Sequence, residues 1–123
     1  MSYITREYLK NNPDKIFVFG DNTIRKGTGG AAKLRYCENT YGFLTKKFPN
    51  NSDNSFYKLD EYLEIYLMEI EKLKKKIKDN PDKTFLISKL GAGLANRYKI
   101  FENIIEPRIK RDLKDYPNVE FLW

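Results

Sequence analysis

The stretch Ile-Phe-Val-Phe-Gly-Asp-Asn-Thr-Ile-Arg-Lys-Gly-Thr-Gly-Gly-Ala-Ala-Lys-Leu-Arg, residues 16–35, decides the predicted fold. It begins with an apolar run, Ile16 to Phe19, of the kind that forms a strand covered on both faces. Two polar residues and a glycine-rich loop follow, and a helix-forming segment begins at Ala31. Glycines let the backbone approach a ligand closely, and free N–H groups at a helix start attract anions. We therefore expect half of a site for a phosphate-bearing ligand here.

A second unit of the same kind lies in the other half of the chain. Residues 12–19, Asn-Pro-Asp-Lys-Ile-Phe-Val-Phe, are echoed by residues 80–87, Asn-Pro-Asp-Lys-Thr-Phe-Leu-Ile. Each copy ends a helix, opens a buried strand and leads into a glycine loop. Strands that alternate with helices predict a mainly parallel sheet, in which ligands bind beyond the carboxyl ends of the strands. We therefore expect both glycine loops at one edge of the sheet, facing one ligand from two sides.

The remaining segments complete a single domain over residues 1–123, an α/β fold of three layers with a mainly parallel or mixed sheet. Caps, apolar periods and breakers predict the other elements. They are an edge strand or disordered start at 1–4, helices at 5–11, 31–39 and 56–79, strands at 41–44 and 84–88, a turn-rich loop at 48–54, a helical region at 98–114 and a strand at 119–123.

The longest predicted helix, residues 56–79, has Ser55 as its expected N-cap. Its basic end, residues 74–78, is read as a solvated helix end or as a nucleic-acid patch. Pro107 should kink or split the last helical region. The apolar residues of the long helix recur in steps of three and four and predict one buried stripe: Leu59, Tyr62, Leu63, Tyr66, Leu67, Ile70, Leu73 and Ile77.

Composition excludes several kinds of chemistry. The 123 residues carry a formal charge of +6, which favours anionic ligands, and contain no histidine and one cysteine. Ser-His-Asp and Cys-His catalysis, histidine-ligated or thiolate metal sites and an internal disulfide are therefore excluded, and Cys37 is expected to be a small buried hydrophobe. We expect no metal and no cofactor. No segment approaches the ~20 apolar residues of a membrane span and no signal-peptide pattern opens the sequence, which predicts a cytoplasmic protein without a membrane partner.

The glycine cluster was compared with two nucleotide-binding motifs, the dinucleotide-binding pattern and the P-loop. Residues 27–32, Gly-Thr-Gly-Gly-Ala-Ala, match the loose pattern G-x-G-x-x-A, but the preceding strand ends seven residues earlier, so the tight dinucleotide-binding turn is missing. The P-loop pattern of nucleotide hydrolases does not occur. The glycines of the first loop could also do no more than form a turn. The second glycine loop at a corresponding position weakens that alternative.

Together the two loops resemble those of macrodomains, the ADP-ribose-binding modules. The resemblance rests on Asn22 after the first core strand, on Gly29-Gly30-Ala31-Ala32, and on Gly91-Ala92-Gly93-Leu94 after a later strand. It implies a macrodomain-like fold that binds ADP-ribose or a related nucleotide, with the second loop around the diphosphate and distal ribose. The segment Phe-Gly-Asp-Asn also resembles small macrodomain-like proteins of phages and bacteria.

One branch of that family is more similar than the others. Leu44-Thr45-Lys46-Lys47, followed by Ser55-Phe56 and a helix, resembles the lysine-dependent terminal ADP-ribose glycohydrolases, a branch that includes an antitoxin removing ADP-ribose from DNA. The resemblance implies that Lys46 attacks the distal ribose. The acid that the branch places after the second loop is Ala95 here, so that part of its mechanism is not carried over. The early Gly-Asp-Ile segment of larger macrodomains has no counterpart either.

The resemblance implies a set of site residues. Lys46 and Asp21 are the catalytic candidates, with Lys46 as nucleophile and Asp21 as a hydroxyl acceptor or base. The alternatives are that Lys46 contacts phosphate or is an exposed strand-end charge, and that Asp21 caps backbone N–H groups. Cations near Lys46 are expected from Lys47, Arg25 and Arg97. The ligand-binding candidates are Gly20, Asp21, Asn22, Gly27, Gly29, Gly30, Ala31, Thr45, Lys46, Gly91, Ala92, Gly93, Leu94, Ala95 and Asn96.

Three functions remain open from the sequence. The first is a macrodomain that binds ADP-ribose and removes it from a modified protein or nucleic acid. The second is a non-catalytic reader or sponge for ADP-ribose-like or nucleotide signals, which Ala95 favours. The third is a basic nucleic-acid-binding domain. The net positive charge favours it, although no known nucleic-acid-recognition motif is visible. The expected partners are accordingly ADP-ribose or a related nucleotide and an ADP-ribosylated macromolecule.

Overall fold

A computed structural model of the protein describes residues 4–123, so the start predicted as an edge strand or disordered segment lies almost wholly outside the described residues. The elements follow the predicted alternation of helices and strands. They are α1 (Arg6–Asn11), β1 (Lys15–Asn22), a 3-10 helix (Gly30–Leu34), β2 (Thr40–Lys46), a 3-10 turn (Asp53–Ser55), α2 (Leu59–Asp79), β3 (Thr84–Ile87), a π-helix (Phe101–Ile105), α3 (Ile109–Asp112) and β4 (Val119–Phe121).

The four strands form one parallel sheet in the order β2-β1-β3-β4. The predicted α/β fold is confirmed, and the sheet has no antiparallel strand within residues 4–123. Strands β1 and β3 lie in the middle and are buried on both faces, as their unbroken apolar runs predict. One face packs against α2, the π-helix and α3, and the other against α1 and the 3-10 helix at Gly30–Leu34. No helix in the described part of the chain has the length and apolar composition needed to cross a membrane.

The two similar segments of the sequence, residues 12–19 and 80–87, also have similar structures. Asn12 and Asn80 end α1 and α2 with the same backbone conformation, φ −132° and ψ 69° against φ −130° and ψ 62°. The amide of Asn39 donates to the carbonyls of residues 9, 12 and 15, and the amide of Asn118 donates to those of residues 77, 80 and 83. Each helix end is therefore tied to the central strand that follows it and to the edge strand beside it in the same way.

The first glycine loop begins later than the sequence predicted. β1 does not stop at Gly20 but continues through Asp21 and Asn22, because β2 pairs with it as far as Lys46. A side chain at Gly20 would place its Cβ 2.8 Å from Oγ1 of Thr45, so the close pairing of the two strands requires glycine there. The predicted helix at 31–39 is wrong beyond residue 34, since only the short 3-10 helix forms before the chain turns towards β2.

Two predictions about α2 are also wrong. The helix begins at Leu59, where the backbone N–H of Lys58 donates to the Glu61 carboxylate at 3.0 Å. Ser55 is the buried last residue of the preceding 3-10 turn and not the N-cap of α2. Five of the eight residues of the predicted stripe are buried. Tyr62, Tyr66, Ile70, Leu73 and Ile77 are buried, whereas Leu59, Leu63 and Leu67 are 40–49% exposed.

A buried carboxylate explains how the helix is turned. Glu69, 3% exposed, accepts a hydrogen bond from the Leu44 N–H at 2.8 Å, and the Tyr62 hydroxyl donates to the Leu44 carbonyl at 2.5 Å. These bonds satisfy backbone groups on the outer edge of β2 and turn Glu69 and Tyr62 towards the sheet.

The C-terminal part agrees more closely with the sequence. Pro107 separates the π-helix from α3, as predicted, and α3 is only a single turn. β4 is shorter than the predicted strand and ends at Phe121. Cys37, expected to be buried, is half-buried at the margin of the core formed with α1.

Candidate functional site

A cleft of about 740 Å³ lies beyond the carboxyl ends of β1, β2 and β3. The two glycine loops form its sides, and strand ends carrying Thr45, Lys46 and Ser88 contribute to it. Its volume falls in the range of small-molecule sites. Most of the predicted ligand-binding residues line it, namely Gly20, Asp21, Asn22, Gly27, Gly29, Gly30, Ala31, Thr45, Lys46, Gly91, Gly93, Leu94 and Ala95. The structure thus brings together residues that are up to 75 positions apart in the sequence, from 20 to 95.

Ala92 and Asn96 are the two predicted residues that do not line the cleft. The Asn96 amide donates to the Glu102 carboxylate at 2.9 Å, and its oxygen accepts from the Phe101 N–H at 3.0 Å. Asn96 therefore caps the start of the π-helix. Ala92 is partly buried and packs against the main core. Both residues were predicted to bind the ligand, and the structure places neither in the lining of this cleft.

Side chains from β1 and from the segment after the 3-10 helix hold the first glycine loop in place. The Asn22 amide donates to the Lys26 carbonyl at 2.6 Å. Nε of Arg35 donates to the Gly27 carbonyl at 2.9 Å, and its Nη2 donates to the Lys26 carbonyl at 3.2 Å. The Arg35 guanidinium also lies over the Phe19 ring, 5.3 Å from its centroid. The loop is therefore shaped by bonds inside the protein before any ligand enters.

Asp21 is the anchor of this arrangement. It is 4% exposed, and one carboxylate oxygen accepts a hydrogen bond from the Asn22 N–H at 2.8 Å and forms an ion pair with Arg35 at 2.6 Å. The other oxygen pairs with Arg25 at 3.1 Å. Gly42 on β2 leaves the room for this carboxylate, because a Cβ there would overlap it. Asp21 thus binds a backbone N–H, as one of the two predicted alternatives had it, and its carboxylate pairs with two guanidinium groups.

The second loop depends on its first glycine. Gly91 has φ +78°, and a Cβ there would lie 2.7 Å from Cδ1 of Ile105. Gly93 faces open space, with no atom within 4 Å of an added Cβ. Leu94 is 61% exposed, and its Cδ1 lies against Gly29 and Gly30 of the first loop. The two loops therefore meet through Leu94 above the cleft.

Lys46 is buried at the end of β2, which rules out the alternative of an exposed strand-end charge. It is 9% exposed, its Nζ lies 3.4 Å from the Asn51 side-chain oxygen, and it stands 4.8 Å from the centre of the Phe56 ring. Arg97 lies over the same ring at 4.3 Å. Burial, and next the positive charge of Arg97, lower the pKa of Lys46 below its usual value. No carboxylate of residues 4–123 forms an ion pair with it.

The cations predicted around Lys46 are placed differently. Arg97 is close enough to affect it, as expected, and is held by Asp53. Lys47 pairs with Glu61 at 2.6 Å, and Arg25 pairs with Asp21. Neither Lys47 nor Arg25 lines the cleft.

Several functional candidates were missed from the sequence. The cleft has further cationic residues, Lys26, Lys33, Arg35 and Lys89, and an apolar part formed by Ile4, Phe17, Leu34, Leu90, Leu122 and Trp123. Lys89 follows directly on β3, so the strand-end rule could have identified it. Arg35 and Trp123 carried no such signal, because tertiary contacts alone bring them here. Asp21 is the one acidic residue among the described residues that line the cleft, so the site is positively charged.

The described residues include no group of three or more His, Cys, Asp or Glu side chains placed to hold a metal ion. The lining of the cleft provides backbone N–H groups, hydroxyls, cationic side chains and apolar surface.

Fold and site together define an α/β protein with a parallel sheet and a cationic, glycine-lined cleft at the carboxyl edge of that sheet. The chain belongs to a family of unknown function (DUF7831), which matches residues 1–98. The matched part contains both glycine loops and Lys46. Comparison with curated proteins and with solved structures finds no match.

Proposed function

We propose that this protein binds ADP-ribose or a related nucleotide in the cleft between its two glycine loops, in the cytoplasm. One observation carries the proposal. Two glycine loops, from the two halves of an internal repeat, converge at the carboxyl edge of a parallel sheet on a cleft whose sole described acid is already neutralised by arginines. Such a site favours a ligand with phosphate groups.

Different parts of the cleft suit the diphosphate and the base of the proposed ligand. Backbone N–H groups of residues 29–31 and of Gly91, Gly93, Leu94 and Ala95 suit the diphosphate, and Lys26 and Lys89 suit its charge. Phe17, Leu122 and Trp123 offer apolar surface for a base. ADP-ribose, as opposed to another nucleotide, is chosen on the resemblance of the loops to those of macrodomains.

Replacing Lys89 with methionine is expected to weaken ADP-ribose binding about tenfold, because one ammonium group near the diphosphate is lost. Isothermal titration calorimetry with ADP-ribose, then with AMP, ADP, NAD and cyclic nucleotides, measures the affinity. Lys10→Met serves as the matched control, because Lys10 is exposed on α1 and does not line the cleft. Absence of heat with every nucleotide would contradict the proposed function, and an equal loss in the control would contradict the role of Lys89.

A second candidate function is removal of ADP-ribose from a modified macromolecule, with Lys46 as nucleophile. The buried Lys46 amine with a lowered pKa favours it. The neutral Nζ would attack the anomeric carbon of the distal ribose, and the glycosidic bond would break with its electron pair leaving on the macromolecule. The proton that Nζ loses once its bond to the ribose has formed would pass to the leaving atom, and water would then hydrolyse the Nζ–ribose bond, which releases ADP-ribose and restores the amine. Ala95 stands where the resembling branch has its acid, so the protein's first assigned role is binding.

For Lys46→Met we expect complete loss of turnover on ADP-ribosylated DNA or protein, with ADP-ribose affinity reduced no more than about tenfold. In the native protein the rate should rise with pH up to a midpoint below the usual lysine pKa, because only the neutral amine is nucleophilic and its pKa is lowered. Lys47→Met is the control, since that neighbouring lysine pairs with Glu61 outside the cleft. Unchanged turnover in Lys46→Met would exclude the lysine mechanism, and no turnover by the native protein would leave the binding function alone.

The third function, nucleic-acid binding through the basic end of α2, has no specific contact in its favour. Lys72, Lys74 and Lys75 each lie in an ion pair with a carboxylate of the same helix. These pairs are what a solvated helix end forms.

A further inference from the structure

Lys46 is a buried cation that lines the cleft beyond β2 and is 9% exposed. Among residues 4–123, its Nζ meets the side-chain oxygen of Asn51 at 3.4 Å and the Phe56 ring at 4.8 Å, and neither of these groups carries a charge. Burying an ammonium group is unfavourable unless an opposite charge compensates it. Lys46 therefore offers a positive charge that an anionic group of a ligand can compensate.

The charges near Lys46 do not compensate it. Arg97 lies over the same Phe56 ring, 4.3 Å from its centre, and its positive charge repels Lys46. The Asp53 carboxylate pairs with Arg97, and its side chain is 78% exposed. Burial and next the charge of Arg97 lower the pKa of Lys46, as expected for an ammonium group without an anion beside it. An anion bound at Lys46 would be attracted by both cations.

The position of Lys46 in the sheet indicates which part of a nucleotide would reach it. Lys46 ends β2, one edge strand, whereas Leu122 and Trp123, part of the apolar surface proposed for the base, follow β4, the other edge strand. The glycine loops follow the central strands β1 and β3. Because neighbouring strands lie about 4.8 Å apart, roughly 14 Å separates the two edge strands. A nucleotide with its base near Trp123 and its diphosphate at the loops would point its far end towards Lys46.

We propose that the ligand of this cleft carries a further anionic group beyond its diphosphate, and that Lys46 binds this group as an ammonium ion. The inference rests on the proposed function, because it concerns the same cleft. Lys26 and Lys89 are already assigned to the diphosphate, so Lys46 adds an ammonium group for one more negative group. The ligand class is a nucleotide whose negative charge continues past the diphosphate, either as a third phosphate or as an acidic group on an attached sugar.

Two pairs of ligands, each differing in one anionic group, test this role. ATP has one phosphate more than ADP, and UDP-glucuronate has a carboxylate that UDP-glucose lacks. Calorimetry without divalent cations should show that the native protein binds the more acidic member of at least one pair at least about tenfold more tightly. A preference in the first pair alone assigns a third phosphate, a preference in the second pair alone assigns an acidic sugar, and a preference in both means that the cleft accepts either group.

These ligands also separate the anion-binding role of Lys46 from its role as a nucleophile. None of the four carries a ribose beyond the diphosphate, so none can be a substrate for removal of ADP-ribose. The measured preference therefore reports the charge of Lys46 alone.

Variants of three lysines distinguish Lys46 from the general charge of the cleft. Lys46→Met and Lys46→Gln should each abolish the preference and leave the affinity for the less acidic ligand within about threefold of the native value. Lys89→Met should weaken both members of a pair by the same factor, so the preference stays. Lys47→Met is the control, because Lys47 pairs with Glu61 and does not line the cleft. Circular dichroism checks that each variant is folded.

Three results would overturn the inference. They are equal affinities within both pairs in the native protein, a preference that persists in the uncharged variants of Lys46, and a preference that is lost in Lys89→Met. Failure of the proposed function gives a different result, since no nucleotide, ADP-ribose included, would then bind at all.

Discussion

Arg35→Ala is expected to lower the free energy of unfolding by about 3–5 kcal/mol, the range for removing one partner of a buried ion pair. The Arg35 and Asp21 side chains are 7% and 3% exposed, and their charged atoms lie 2.6 Å apart. Without the guanidinium, the buried Asp21 carboxylate keeps only Arg25 and one N–H as partners. The Gly27 carbonyl loses its side-chain donor as well, and the Lys26 carbonyl keeps only the Asn22 amide, so fewer bonds hold the first glycine loop in place. Urea unfolding measures the change in stability.

Arg25→Ala is the matched control for this prediction. Arg25 pairs with the same carboxylate, but its side chain is 48% exposed, so its removal should lower the stability by about 1 kcal/mol or less. Arg35→Lys should recover only part of the loss, because an ammonium group cannot bridge Asp21 and the two loop carbonyls as the guanidinium does. If Arg25→Ala destabilised the protein as much as Arg35→Ala, the buried pair would not be the anchor of the loop.

The central strands and the place of the cleft could be predicted because local patterns determine them. The runs Ile16 to Phe19 and Thr84 to Ile87 are apolar without alternation, and strands of that kind lie inside a parallel sheet covered by helices. The ligand edge of such a sheet follows from its topology. The repeat at residues 12–19 and 80–87 placed the two loops together for the same reason.

The features that the sequence did not predict depend on contacts between residues that are distant in the chain. The leucines of α2 follow an apolar period as good as that of the tyrosines, and contacts with distant residues, such as the bonds of Glu69 and Tyr62 to β2, are needed to tell which of them are buried. Arg35 was predicted to be an ordinary residue of a helix, and its role arises because the chain turns it back towards Asp21. Lys46 could be identified as a strand-end residue with Arg97 near it, but no local pattern predicts that both side chains lie over the Phe56 ring.

The two glycines of the second loop are expected to differ in how much their replacement with alanine lowers the stability of the protein. Gly91→Ala should lower the stability by about 1–3 kcal/mol, because Gly91 has φ +78° and the new Cβ would lie 2.7 Å from Cδ1 of Ile105. Gly93→Ala should leave the stability within about 0.5 kcal/mol of the native value, because nothing lies within 4 Å of its new Cβ. Thermal and urea unfolding of both variants check this pair of predictions.

That difference makes Gly93→Ala a specific probe of the proposed ligand. Gly93 lines the cleft, so its open space is where a diphosphate would approach the backbone, and an added methyl group should reduce ADP-ribose affinity at least about tenfold in a protein of unchanged stability. Calorimetry with ADP-ribose gives the affinity. Native affinity in Gly93→Ala would mean that the ligand does not approach this loop closely, and the diphosphate would then have to be assigned to the first loop and its lysines.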